Sequence, residues 1–255
     1  MNIPHVCQAL KRCMNQILEP FGFEVRRIKE LPDVKAEGFP AYVKKATNAG
    51  MDVNDWIEQN LGWEDVLLIL QRTVFPYLGE NSTVCELGVG TGRSARHIVA
   101  RLTKGELYLV DHSPWIVDFV RGYFHSNPRV HVLLNDGHSL PLERSQVDLI
   151  FSQGTFIELK LGLFYLYSLE FYRVLKPGGY CVLDYIDITT EGGWEYLRAQ
   201  SRQYGDCFTY HMPETVDRVF SSAGFEIVKR HHMGKSTYLT VRKPDTGSAG
   251  PAGQP

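Results

Sequence analysis

No pair of cysteines in this sequence stands at the spacing of a metal or redox motif. The five (Cys7, Cys13, Cys85, Cys181 and Cys207) include no C-x-x-C and no ligand spacing with histidine. Cys85 and Cys181 lie inside apolar runs, where a free thiol behaves as a small hydrophobe. A reducing compartment, no disulfide framework and no metal are expected. Surplus positive charge is missing too: 27 Lys plus Arg face 29 Asp plus Glu, a net charge of −2. Proteins that neutralise phosphates carry extra cations, so no nucleic-acid partner is expected. No apolar run is long enough to span a bilayer, and residues near Met1 lack a signal peptide's continuous apolar stretch. The expectation is a soluble, cytoplasmic chain with no integral membrane segment.

What is present is an ordinary globular composition. The 255 residues are 44% hydrophobic and 22% charged, enough for one large core but not for two full domains. Residues 1–80 read as a helical cap or lid, 81–243 as the main domain, and 244–255, rich in Gly, Pro, Ser and Ala, as a disordered tail. Ile3, Val6, Leu10, Met14 and Ile17 recur at helical spacing before Pro20. Residues 21–27 read as a short strand or irregular segment, and 52–70 as one helix carrying Trp56, Ile57, Leu61, Val66 and Leu70. Exposed apolar faces on these helices would suit a homodimer contact.

From Thr83 the pattern alternates. Apolar or β-branched runs at 83–87, 106–110, 129–134, 147–151 and 180–185 are interleaved with helical stretches at 94–102, 114–124 and 161–175. Near-continuous apolar strands separated by helices predict a parallel sheet covered on both faces. An amphipathic helix at 213–223 then leads to two strands, 225–229 and 237–241, joined through His231-His232-Met233-Gly234-Lys235 as an antiparallel hairpin.

The segment Val84-Cys-Glu86-Leu-Gly88-Val-Gly90-Thr91-Gly92-Arg93 runs from a strand through three glycines into a helix. Glycine permits positive φ and lets a ligand approach the backbone. A dinucleotide turn of the G-x-G-x-x-G kind needs a glycine where Arg93 stands. Glu86-x-Gly-x-Gly-x-Gly instead resembles motif I of the class I S-adenosylmethionine (SAM) methyltransferases. Asp111-His112-Ser-Pro-Trp-Ile116 resembles that family's D-x-S-P segment, and Asn135-Asp136-Gly137-His138 and Val147–Gly154 fall at its later stations. Tyr172-Arg-Val-Leu-Lys-Pro-Gly-Gly179 and Ser222-Ala-Gly-Phe-Glu226 extend the resemblance, which runs from about Thr83 to Val241 and is nearest to small-molecule enzymes of quinone biosynthesis and sugar tailoring.

The resemblance implies an α/β, Rossmann-like, doubly wound, mostly parallel seven-stranded sheet ending in an antiparallel hairpin. It implies SAM as the cofactor. Glu86 would hold the ammonium end, with Gly88, Gly90, Thr91 and Gly92 under the amino-acid part. Asp111, with His112 beside it, would take the ribose hydroxyls, and Ile116 would lie against adenine. Asp136 and Gly137 would meet the adenine amino group, and Ser152 and Gln153 would stand between methionine and acceptor. Simpler readings compete: Asp111 as a strand-end or helix N-terminal carboxylate, and Asn135-Asp136-Gly137 as a turn.

A small-molecule acceptor is expected, with a sugar or natural-product hydroxyl preferred and an aromatic hydroxyl or amine next. His211 ranks first as base, because imidazole titrates near neutrality; Glu158 and Tyr210 follow, with Asp184, Tyr185 and Asp187 also in reach of the same edge. The aromatics of 189–210, including Trp194 and Tyr196, either shape the acceptor pocket or pack that segment down. Tyr42 and Trp56 either belong to a lid or pack the cap. Two other functions compete: a SAM-binding scaffold without catalysis, and an NAD-dependent oxidoreductase.

Overall fold

The structure is a computed structural model describing residues 34–202 and 208–245. The expected helix over 2–19, the segment 21–27 and the end of the tail lie outside the described residues. The chain divides into two compact units, Met1–Ala41 and Tyr42–Pro255, and the site belongs to the second.

Helix α1 (Val34–Asn48) is broken at Gly38, whose φ is 61°. The single helix expected over 52–70 is two: α2 (Val53–Asn60) and α3 (Val66–Thr73). Gly62 at φ 64° ends the first. One aspartate starts each helix by accepting from its orphan amides: Asp52 from Asn54 (2.8 Å) and Asp55 (3.3 Å), Asp65 from Leu67 (2.9 Å) and Leu68 (3.1 Å). A pattern of apolar positions alone does not register a break whose two halves both face inward.

The main sheet follows. Its elements are β1 (Val84–Leu87), α4 (Ala95–Val99), β2 (Leu107–Asp111), α5 (Pro114–Tyr123), β3 (Val130–Leu134), β4 (Val147–Ser152), α6 (Leu161–Val174) and β5 (Leu175–Asp187). Then come α7 (Glu191–Gln200), β6 (Tyr210–His211), α8 (Pro213–Ser222), β7 (Glu226–Met233) and β8 (Ser236–Arg242). The order is β3-β2-β1-β4-β5-β8-β7, with β6 paired to β5 off this path. The first five strands run parallel, and β8 is antiparallel to both β5 and β7. This is the expected seven-stranded, mostly parallel Rossmann-like sheet ending in a hairpin, plus the unexpected two-residue β6.

Two boundaries differ from expectation. The hairpin turn is only Gly234-Lys235, since Met233 pairs with Ser236; His231 and His232 are strand residues opposite Tyr238 and Thr237. Lys176-Pro-Gly-Gly179 lies within β5 as an irregularity, the pairing of β4 jumping from Val147↔Leu175 to Leu149↔Tyr180. A β-carbon on Gly179 would stand 2.9 Å from the Asp148 carbonyl, so glycine is what lets the strands close up there.

One face of the sheet buries Cys85, Ile150, Cys181, Leu183, Leu239 and Val241 against α6 and α8. Phe164 and Phe171 on α6 meet Phe156, whose ring lies edge-on to Phe164 at 4.7 Å. Burying each such ring contributes roughly 1.5–3 kcal/mol. Successive strand residues alternate between faces, so Glu86 points away from Cys85 and Leu87, toward the face bearing α4 and the glycine turn. Among the described residues no helix is long and apolar enough to cross a membrane.

Candidate functional site

β1 hands over at Leu87 to a turn in which Gly88, Gly90 and Gly92 have φ of 76°, 53° and 83°. All three lie in the left-handed region, where a side chain is disfavoured. For two of them the protein itself also forbids a β-carbon. On Gly88 it would meet the Thr155 hydroxyl at 1.8 Å, and on Gly92 the Phe124 ring at 2.8 Å. The Gly88 amide donates to the Val110 carbonyl (2.8 Å), which ties the turn to the end of β2.

Two carboxylates stand at this turn. Glu86 is only 3% exposed, and its Oε2 has no hydrogen-bond partner among the described residues. Burial, and then the neighbouring Asp111 charge, push its pKa well above the usual carboxylate range. Asp111, the last residue of β2, accepts from the Ser113 amide (2.9 Å). Burial raises its pKa, opposed by the amides of Ser113, Gly90 and His112 and by the His112 ring. A buried acceptor left unpaired costs about 1–3 kcal/mol. A cation or hydroxyl-bearing ligand at the turn relieves that cost, so the residues present fit an ammonium and a ribose.

The other expected positions differ in what they touch. The His112 side chain is exposed, with Nδ1 3.6 Å from Asp111. Ile116 is buried on α5, while its neighbour Trp115 is exposed and stacks on Phe119 at 5.4 Å. Asp136 accepts from the amides of His138 (2.8 Å) and Ser139 (2.7 Å) and from the Ser139 hydroxyl (2.9 Å). Those bonds depress its pKa to about 2. Gly137 follows at φ 83°. The Asp136 carboxylate therefore holds its own turn, leaving a single lone-pair site of about four for anything else. Ser152 donates to the Leu87 carbonyl (2.9 Å), and Gln153 bridges Ser94 (3.1 Å) and Tyr238 (3.1 Å). Both stand at the expected strand end, with their side chains serving the protein.

Beyond β4 and β5 lie the expected acid–base candidates. The Thr209 amide donates to the Ile157 carbonyl (2.7 Å), and its hydroxyl to Leu159 (3.0 Å). That brings β6, with Tyr210 and His211, beside the loop carrying the exposed Glu158. In β6, Tyr210 pairs with Ile186 and His211 with Asp187. The His211 Nε2 is buried without a partner among the described residues, its ring lies 4.8 Å from Phe164, and burial lowers its pKa. Asp184 is committed elsewhere: it accepts from the Gly154 amide (2.7 Å) and the Ser236 hydroxyl (3.0 Å). Asp187 accepts from the Thr189 amide and hydroxyl (2.9 and 2.6 Å).

Sequence reasoning missed how α2 engages the glycine turn. Asn54 is fully buried; its Nδ2 donates to the Thr91 carbonyl (3.1 Å), and its Oδ1 accepts from the Thr91 hydroxyl (2.6 Å). Arg93 forms two bonds to Glu58 (2.6 and 3.2 Å), another to the Glu64 carbonyl, and lies over the Trp63 ring at 5.5 Å. Arg96 pairs with Asp55 (2.6 Å), and the Tyr123 hydroxyl donates to Asp52 (2.9 Å). Tyr42 is buried, its ring 6.0 Å from Trp56. The only sequence signal was a polar residue, Asn54, inside an amphipathic helix, and such residues usually face water.

Residues 84–179 match the family described as a methyltransferase domain. A malonyl-[acyl-carrier protein] O-methyltransferase of Marinomonas sp. is 33% identical over 152 residues, 59% of this chain and 54% of that protein. The chain thus matches only about half the length of that relative. A SAM-dependent methyltransferase from Aquifex aeolicus shares the fold at TM-score 0.52 and 23% identity, over 70% of this chain and 89% of that one. A Haloferax volcanii methyltransferase, seen in complex with the Trm112 methyltransferase activator, aligns at TM-score 0.61 and 20% identity, over 82% and 98%.

Proposed function

We propose, from the premise that this chain belongs to the class I SAM-dependent methyltransferases, that it methylates a hydroxyl oxygen of a small molecule such as a sugar or natural product. The observation that carries the reading is the unpartnered, buried Glu86 Oε2 at a glycine turn that Asp111 also faces. SAM, when bound, supplies a methyl group already activated on a sulfonium sulfur. Glu86 takes the ammonium end, the backbone of Gly88 to Gly92 accommodates the amino-acid part, and Asp111 accepts from the ribose hydroxyls. Ile116 and the free lone pair of Asp136 address adenine, and Ser152 and Gln153 fix the strand end between cofactor and acceptor.

The acceptor's proton goes to His211 Nε2, which is neutral at pH 7 because burial lowers its pKa. Glu158 and Tyr210, beside the same loop, are the alternative bases. Trp194 is exposed on α7, and Tyr196 meets Phe208 at 5.4 Å, aromatic surface of the sort that receives a ring. An oxygen acceptor is supported by the name of the Marinomonas relative, an O-methyltransferase. The Arg93–Glu58 pair speaks against the oxidoreductase reading, because it occupies the position where a dinucleotide turn has glycine.

The test is calorimetric titration with SAM, S-adenosylhomocysteine and NAD, repeated on Asp111→Ala, followed by a labelled-methyl screen of sugars, phenols, amines and malonyl thioesters. Binding of the sulfur ligands, lost in the variant, with label moving to an oxygen, supports the proposal. Binding without transfer to any acceptor would favour the scaffold function, and binding of NAD alone would end the methyltransferase reading.

A further inference from the structure

Among the polar side chains of α2, Asn54 alone is wholly buried; both ends of its amide are hydrogen-bonded to Thr91 of the glycine turn, and the side chain also hydrogen-bonds the Tyr123 hydroxyl. We infer that Asn54 is a positioning residue for the cofactor: it sets the turn at Thr91 and makes closure of α2 part of cofactor binding. This rests on the cofactor site proposed above. Thr91 lies between Gly90 and Gly92, both at positive φ, where the backbone has least intrinsic preference and needs an outside hold. The two-point contact fixes the Thr91 carbonyl through Nδ2 and its hydroxyl through Oδ1, so neither the peptide plane nor χ1 can rotate without breaking a buried bond.

The contact does not act alone. Glu58, one turn further along the same helix face, holds Arg93, and Asp55 holds Arg96 on the exposed side. The three links span residues 91–96, so α2 closes over the turn as a unit. The exposed pair is worth little in water. The buried Asn54 amide is costly to strand, and this makes it the link that decides whether the turn is held. A ligand that orders the turn therefore also favours closed α2, and opening α2 loosens the turn.

The experiment measures S-adenosylhomocysteine affinity by calorimetry and hydrogen exchange of the amides of 88–94, on the full chain. Asn54→Ala is expected to weaken binding at least tenfold and to speed exchange in the turn. Asn54→Asp, which can no longer donate to the Thr91 carbonyl, is expected to do the same. Asp55→Ala should stay within threefold of the parent, which separates loss of the turn's hold from general loosening of the helix. Thr91→Val removes only the hydroxyl and should fall between; it decides the matter if the Asn54 variants do not fold, and parent-like affinity in it would then overturn the inference. If the parent binds and Asn54→Ala binds equally well, the inference is wrong while the cofactor site stands. If the parent itself fails to bind, the cofactor site is wrong and the inference falls with it.

Discussion

The Thr155 hydroxyl fills the space where Gly88 would carry a β-carbon, 1.8 Å from that position. Thr155 Oγ1 also donates to the Leu87 carbonyl (3.3 Å), beside the Ser152 bond to the same oxygen. The loop after β4 is thus pressed into the turn after β1. Gly88→Ala meets both this overlap and an unfavourable φ of 76°, and is expected to cost about 2–4 kcal/mol. Thr155→Ala alone should be mild. The double variant should recover part of the loss but not the backbone strain, which a double-mutant cycle in urea would measure. Full additivity would show that the two residues do not compete for that space.

Glu86 leads to a proton-linkage prediction. Its raised pKa means that folding favours the protonated acid, so the stability it contributes is present at low pH and declines as pH rises toward that pKa. A bound ammonium reverses the preference and expels the proton. Titrations of S-adenosylhomocysteine in buffers of different ionisation enthalpy should therefore give different apparent heats at pH values between the ordinary carboxylate range and that raised pKa. Glu86→Gln should abolish the difference, weaken binding more than tenfold and leave the ligand-free protein as stable or more so. Identical heats in every buffer would contradict it.

Asp184 is wholly buried, and its pKa is raised to about 6, first by burial, against opposing bonds from Gly154 and Ser236 and the Lys235 charge. Because the folded pKa exceeds the unfolded value, this group's contribution is fully present below about pH 4 and is lost as pH rises through about 6. Asp184→Asn keeps an acceptor for Gly154, and its amide N–H donates to the Ser236 oxygen in place of the bond Asp184 accepts there. It should raise stability at pH 7 by on the order of 1–3 kcal/mol and flatten stability against pH between 4 and 6. Thermal melts across that interval check it; a variant less stable at pH 7 than at pH 4 would count against it.

His211 predicts the pH dependence of turnover. Burial lowers its pKa, so the neutral imidazole is already the main form just below neutrality. With an oxygen acceptor from the labelled-methyl screen, the rate should climb through the acidic limb and level off before pH 7. His211→Ala should lower kcat by about a hundredfold or more while leaving S-adenosylhomocysteine affinity unchanged. Retained turnover would shift the role to Glu158 or Tyr210.

The sequence alone determined the sheet, since doubly covered strands such as Val84–Leu87 and Val147–Ser152 are largely apolar on both faces, and that signal is local. It also located the turn of Gly88, Gly90 and Gly92 and the strand-end acids Glu86 and Asp111, because backbone conformation and strand ends leave marks on neighbouring residues. Tertiary structure decided the remainder. That Thr155 requires glycine at 88, that Phe124 requires it at 92, and that Asn54 holds Thr91 are contacts between residues 32 to 67 positions apart. Tertiary contacts also spent Ser152, Gln153 and Asp184 on the protein's own backbone and hydroxyls. No window along the chain contains both partners of such contacts, and a polar side chain reads the same in sequence whether it faces water, a ligand or a buried carbonyl.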